Sequence, residues 1–171
     1  MYFFAEHPGE IGLHQLTSGF TWYGGFLAGT AAAVVIIRRH RLPLSAVAGM
    51  AAVPLAVAYG IGRLGCLLAG DGTYGKPSRL PWAMVFPNGV VPIDVAVQPT
   101  PLYEALVAFA LAGLLWWLGR RARPVVVFAA YLVGSGAARF AVEWLRVNRP
   151  VLAGLTAPQL WSVAAVAVGW A

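Results

Sequence analysis

Apolar residues in this chain come in long runs, broken by short basic stretches and by segments rich in glycine and proline. A run of about 20 apolar residues is long enough to cross the roughly 30 Å hydrocarbon layer of a bilayer as a helix. The pattern predicts five such helices, over about 20–38, 44–66, 101–119, 124–146 and 155–171. The expected fold is therefore all-α, a polytopic transmembrane helical bundle forming one membrane domain over 1–171. Gly25 and Gly29 give the first helix a small-xxx-small spacing, which permits close helix packing in lipid. Pro54 predicts a kink in the second. Pro101 and Pro124 suit the first turns of the third and fourth. Between helices two and three, residues 67–100 form a long Gly/Pro-rich loop holding Trp82 and Phe86. Trp82 reads as an interfacial anchor, and a loop of this length is more often functional than idle.

Composition supports the membrane assignment. The chain has 171 residues, 60% of them hydrophobic and only 11% charged, too apolar for a soluble domain of this size. The net charge of +6 does not point to nucleic acid, because the basic residues cap apolar runs rather than lining one face. Arg38, Arg39 and Arg41 form one cluster; Arg120, Arg121 and Arg123 form another. Short basic loops of this kind are cytoplasmic. Segments 1–19, 67–100 and 147–154 are then expected on the outer side. Trp116 and Trp117 read as a cytoplasmic interfacial belt. The first 17 residues carry Glu6 and Glu10 in place of a basic start, so no secretory signal peptide is expected. An outside start implies either that a short tail is translocated or that N-terminal helices of relatives are lacking here. The lone cysteine, Cys66, excludes an internal disulfide and a CxxC metal site. It reads as a small helix-interface residue. His7, His14 and His40 are scattered, and no metal site is expected.

The ionisable residues inside the runs carry the functional signal. Arg63 lies near the outer end of helix two and Glu104 about one turn inside the outer end of helix three. Arg139 lies 15 residues beyond Pro124, about 22 Å along a helix rising 1.5 Å per residue. Glu143 and Arg146 follow at i+4 and i+7 on the same face. Asp71 lies just outside the second span. Residues distant in sequence thus gather at one depth. A charge at the bilayer centre costs about 2.5 to 3.5 kcal/mol on insertion scales, so such groups pair, face a wet cavity or bind something charged. Salt bridges of Arg139 with Glu143, and of Arg63 with Asp71 or Glu104, are one outcome. The other is a cavity open to the outer leaflet in which arginines meet an anionic lipid phosphate, which their planar donor fork suits. Tyr103 reads equally as a headgroup donor and as an interfacial anchor.

Several segments resemble the prolipoprotein diacylglyceryl transferases. "GRLGCLLAGDGTYG" (62–75) is similar to that family's glycine-rich Gly-Arg-x-Gly-Asn segment, and "PWAMVFP" (81–87) to the Pro-Trp…Phe-Pro that follows it. "QPTPLYEAL" (98–106) resembles its His-Pro-(Ser/Thr)-Gln-Leu-Tyr-Glu, "ARFAVEWLRVN" (138–148) its Arg-Phe-x-x-Glu-x-x-Arg helix, and "GLTAPQLWSV" (154–163) its Gly-Leu-Thr-x-x-Gln stretch. "TWYGGFLAG" (21–29) resembles its Phe-His-Gly-Gly segment. The matches occur in family order.

The resemblance implies a bacterial inner-membrane enzyme with an extracytoplasmic active face and no metal or organic cofactor. Its reaction would move the diacylglyceryl group of phosphatidylglycerol to the thiol of a lipobox cysteine in a preprolipoprotein, releasing glycerol phosphate. By the same resemblance Arg63 and Arg139 hold the phosphate, and Glu143 orients Arg139 or moves a proton. Glu104, Asp71 and Tyr103 are candidates for headgroup or base roles. Tyr23, Gly62, Cys66 and Arg146 complete the candidate substrate site. Five departures stand out: Tyr23 replaces the family's His, Cys66 its Asn, Asp71 its usual Glu, Gln98-Pro99 its His-Pro, and Pro101 its Gln. The chain is also short for the family, with N-terminal helices and part of an extracytoplasmic head expected to be missing. Because of the lost His, a catalytically silent phospholipid-binding membrane protein is the alternative to the transferase.

Overall fold

The computed structural model describes residues 22–146 and 154–170, without the side chains of 22–27 and 157. The predicted outer segment 1–19, and all of the predicted 147–154 except Gly154, lie outside the described residues. The chain divides into two compact units, Met1–Leu44 and Ser45–Ala171. In the first, α1 runs Trp22–Arg39 and ends on Arg38 and Arg39, cations suited to the negative end of the helix dipole. The turn after it holds Arg41 in the left-handed region, at φ 52°.

The second unit contains α2 (Leu44–Ala69), β1 (Met84–Phe86), β2 (Ile93–Val97), α3 (Thr100–Gly119), α4 (Pro124–Glu143) and α5 (Ala157–Trp170). Among the described residues, α2, α3 and α4 are long and apolar enough to cross a membrane. The protein is thus a mostly helical membrane protein. At 14 residues, α5 spans about 21 Å.

Small residues set the helix packing. Ala52, Ala56 and Gly60 are buried on one stripe of α2. Ala52 and Ala56 meet Ala112 and Leu115 of α3 and Val127 of α4 in the core. A Cβ at Gly60 would lie 2.8 Å from Phe109, and one at Gly49 2.5 Å from Pro124. Such close approaches replace the hydrophobic drive that lipid removes. Of the spacing expected to pack the first helix, Gly25 lies outside the described side chains, and a Cβ on Gly29 would meet nothing within 4 Å among the described residues. The helix is continuous through Pro54. Pro101 lies in the first turn of α3, and Pro124 opens α4. Helix α4 packs on α3 and, more extensively, on α5. At Gly136 a Cβ would stand 2.9 Å from the Ser162 carbonyl oxygen, so the two backbones touch.

Two features depart from the sequence reading. The segment 67–100 carries an antiparallel hairpin, in which Met84 pairs with Val97 and Phe86 with Ile93. Phe86 stacks on buried Tyr74 with ring centroids 4.4 Å apart. In addition, α4 ends at Glu143 rather than continuing to 146. Arg146 therefore leaves the helix and joins an isolated bridge with Gly75, where Lys76 N–H donates to the Leu145 carbonyl at 2.8 Å. Its i+7 position on the face of α4 is a correction to the expected geometry.

Candidate anion site at the helix ends

Antiparallel α2 and α3 bring the end of one beside the start of the other, and α4 ends at the same level. Arg63 thus meets Glu104, with its Nε 3.0 Å from Oε2. The same carboxylate takes Arg146 Nη2 at 3.4 Å and Arg139 Nη1 at 3.6 Å. Arg139 Nη1 also lies 2.6 Å from Glu143 Oε2. Of the alternatives left open by sequence, the structure gives Arg63 to Glu104 and Arg139 to both glutamates.

Burial is unequal across the cluster. The Glu104 and Glu143 side chains are 3% and 0% exposed, whereas Arg63 and Arg139 keep 17% and 21%. The carboxylates lie behind and the guanidinium groups in front. Among the described residues, three arginines meet the two buried carboxylates. A buried donor without a partner is costly, and Arg146 Nε is buried with no hydrogen-bond partner among the described residues. Burial pulls the Arg146 guanidinium below its ordinary pKa; Glu104 opposes this, while Arg139 and Arg63 add to it. An arginine stays charged throughout.

The loop after α2 closes over this cluster. Gly70 and Gly72 both have positive φ, 60° and 82°, which glycine adopts freely. Between them Asp71 Oδ1 accepts the Thr73 amide at 3.1 Å and the Thr73 hydroxyl at 2.6 Å, an Asx-type turn. The Thr73 carbonyl then accepts Arg146 Nη2 at 3.0 Å and the Thr100 hydroxyl at 2.7 Å. Burial raises the Asp71 carboxyl, but hydrogen bonds from Cys66 and Thr73, with the charge of Arg63, outweigh it and hold the pKa below the ordinary carboxylate value. Asp71 thus serves the loop and Cys66 rather than pairing with Arg63 as a salt bridge.

Tyr103 and Gly62 lie on the helices that carry Glu104 and Arg63. Tyr103 accepts a hydrogen bond from Trp82 Nε1 at 2.7 Å, so the hairpin segment is tied to α3 through two residues read separately from sequence. Gly62 is exposed, and a Cβ there would meet nothing within 4 Å. Tyr23 lies on α1, and its side chain is outside those described. No group of His, Cys, Asp or Glu among the described residues is placed to hold a metal ion.

Sequence reasoning missed three members. Tyr59 donates its hydroxyl to Glu104 Oε1 at 3.2 Å, and its ring lies 4.9 Å under the Arg63 guanidinium. The signal was its i−4 spacing from Arg63. Thr156 donates to Glu143 Oε1 at 2.7 Å, and its own amide donates to Gln159 Oε1 at 3.0 Å. The Thr-x-x-Gln spacing is that of a helix N-terminus.

A family model described as prolipoprotein diacylglyceryl transferase matches residues 1–171. The chain belongs to this family. Among curated relatives described as phosphatidylglycerol–prolipoprotein diacylglyceryl transferase, the Methylobacillus flagellatus protein is 37% identical over 147 residues, 84% of this chain and 54% of the relative. The Clostridium tetani protein is 31% identical over 160 residues, 92% of this chain and 64% of the relative. For Nitrobacter winogradskyi the identity is 31% over 179 residues, 99% of this chain and 60% of the relative. The chain therefore spans between about half and two thirds of the length of these family members.

Proposed function

We propose that this chain carries the lipid-phosphate half of a diacylglyceryl transfer site and moves the diacylglyceryl group of phosphatidylglycerol to a prolipoprotein cysteine thiol. The observation that carries the proposal is the convergence of Arg63, Arg139 and Arg146 on buried Glu104, with the arginines more exposed than the carboxylate. Family membership supplies the reaction.

The chemistry asks for such an arrangement. The thiol releases its proton to water and its sulfur forms a bond to the glyceryl carbon. The bond from that carbon to the phosphate oxygen breaks, and glycerol phosphate departs with the electron pair. Charge gathers on the phosphate as it leaves, and fixed guanidinium donors in a poorly hydrated site stabilise it. On this reading Arg63 and Arg139 hold the phosphate, and Arg146 adds its unused Nε. Glu143 orients Arg139. Glu104 takes contacts from three arginines, which suits it to anchoring them. Gly62, Cys66, Asp71 and Tyr103 border the lipid headgroup, with Tyr23 at the place of the family's His.

The same reading places the protein in the bacterial inner membrane, with five spans and the 67–100 loop on the extracytoplasmic side. Arg38, Arg39 and Arg41, like Arg120, Arg121 and Arg123, adjoin the ends of the spans remote from the site, and basic loops mark the cytoplasmic side.

The test is mass spectrometry of a lipobox peptide incubated with the purified protein and phosphatidylglycerol, beside Arg139→Ala. The expected result is a diacylglyceryl mass gain on the peptide cysteine that the variant lacks. A folded protein that retains phosphatidylglycerol and leaves the peptide unmodified would overturn the transfer and favour the silent lipid-binding alternative.

A further inference from the structure

We infer that Thr156 is a positioning residue for Arg139, acting through Glu143; this rests on the phosphate-binding reading above. The two oxygens of Glu143 are divided. Oε2 meets Arg139 Nη1 at 2.6 Å, and Oε1 accepts the Thr156 hydroxyl at 2.7 Å. A carboxylate left to itself beside a guanidinium favours the two-pronged pairing that uses both oxygens. Here the Thr156 hydroxyl holds the second oxygen. Both ion pairs of Arg139, to Glu143 and to Glu104, run through Nη1. Holding Glu143 in place therefore sets where Nη1 sits, and with it the guanidinium offered to a phosphate oxygen.

The hydroxyl is itself held in place. Thr156, Glu143 and Gln159 are 8%, 3% and 4% exposed. The Thr156 amide donates to Gln159 Oε1, and its carbonyl accepts the Leu160 amide at 3.1 Å, so Thr156 stands at the N-terminus of α5. In the usual capping box, a threonine there turns its hydroxyl to the helix backbone; here it donates across to α4. Gly154, at φ 76°, provides the turn before it, and the contact of Gly136 with the Ser162 carbonyl fixes α5 against α4. The aim of Arg139 is thus set by the packing of two helices.

The experiment uses the full chain in lipid nanodiscs and measures equilibrium binding of labelled phosphatidylglycerol alongside KM and kcat for transfer to a lipobox peptide. Thr156→Val is expected to weaken lipid binding about tenfold, the scale of one hydrogen bond to a charged group, and to raise KM in step. Thr156→Ser should restore both to within about twofold. In a Glu143→Gln background Thr156→Val should add little further loss, because residues acting in series are not additive. Thr156→Ala also removes the donor to Glu143 without adding a charge, so it should behave like Thr156→Val and covers the case in which the valine variant fails to fold. Unchanged lipid affinity in Thr156→Val and Thr156→Ala, or an equal loss with and without Glu143, would overturn the inference. Wild-type protein that binds the lipid but transfers nothing would sink the transfer reaction alone, and the binding cycle would still decide the role of Thr156.

Discussion

Arg63 Nε stands 3.0 Å from Glu104 Oε2, joining the last turns of α2 to the first turns of α3. Removing the two partners should have unequal consequences. Without Arg63, the carboxylate still has Arg139, Arg146 and Tyr59. Without Glu104, Arg63 and Arg146 lose the carboxylate they meet and repel each other in a buried site. Leaving buried charges uncompensated costs about 3–5 kcal/mol. Glu104→Ala is therefore expected to lower the thermal unfolding midpoint in detergent steeply, whereas Arg63→Ala keeps the fold and loses phosphatidylglycerol binding. Paired melting and lipid-retention measurements check this; equal melting points in the two variants would contradict it.

Much of this arrangement is legible in the sequence, for a physical reason. A charge inside an apolar run has few places to go, so Arg63, Glu104, Arg139 and Glu143 could be placed at one depth before any geometry was known. Which arginine meets which carboxylate was not legible, because that depends on helix rotation and crossing. The end of α4 was misplaced for a related reason. Nothing in "EWLRVN" stops a helix by propensity; Leu145 and Arg146 leave it because their backbones pair with the segment at Gly75 and Lys76. The hairpin went unseen because Pro87, Gly89 and Pro92 dominate its surroundings and β1 has only three residues. Tyr59 and Thr156 were hidden by ordinary identities, an aromatic in a span and a threonine before a helix.

Tyr59 serves two neighbours by different forces. Its ring faces Arg63, and its hydroxyl binds Glu104. Tyr59→Phe keeps the first and loses the second; Tyr59→Leu loses both. A desolvated cation–π contact is worth about 2 kcal/mol and an exposed one about 0.5–1. Tyr59→Leu should accordingly weaken lipid binding more than Tyr59→Phe, by roughly three- to fivefold, since Tyr59 is 41% exposed. Titration of labelled phosphatidylglycerol against both variants separates the contributions, and identical affinities would remove the ring from the account.

The Asp71 turn should confer a pH dependence of definite sign. Its carboxyl is held below the ordinary value by bonds that the unfolded chain lacks. The associated stability is present above the unfolded pKa and is lost as pH falls through the lower folded value. Acidification below about pH 4 should thus loosen the 70–75 turn, while neutral and mildly alkaline pH leave it intact. Hydrogen exchange of the Thr73 amide across this range is the direct readout. In Asp71→Asn the acid-dependent rise in exchange should vanish.

Gly62 and Gly75 lie in one glycine-rich segment and predict opposite behaviour. At Gly75 a Cβ would come 2.8 Å from Thr100 Cγ2, 2.9 Å from Gln98 Cβ and 2.9 Å from the Leu145 carbonyl oxygen. Two of these three are backbone-near atoms of neighbouring segments, so Gly75→Ala must part the bridge that holds Arg146. Overpacking of this kind costs about 1–3 kcal/mol, and both melting temperature and transfer should fall. At Gly62 a Cβ meets nothing, and glycine inside a helix is about 0.5–1 kcal/mol worse than alanine. Gly62→Ala should then hold or raise the melting temperature. If the open space beside Arg63 is where the lipid headgroup sits, the same variant should lose phosphatidylglycerol affinity. A Gly62→Ala protein that is stable and binds the lipid as wild type does would move the headgroup away from this face of α2, toward Arg139 and Arg146.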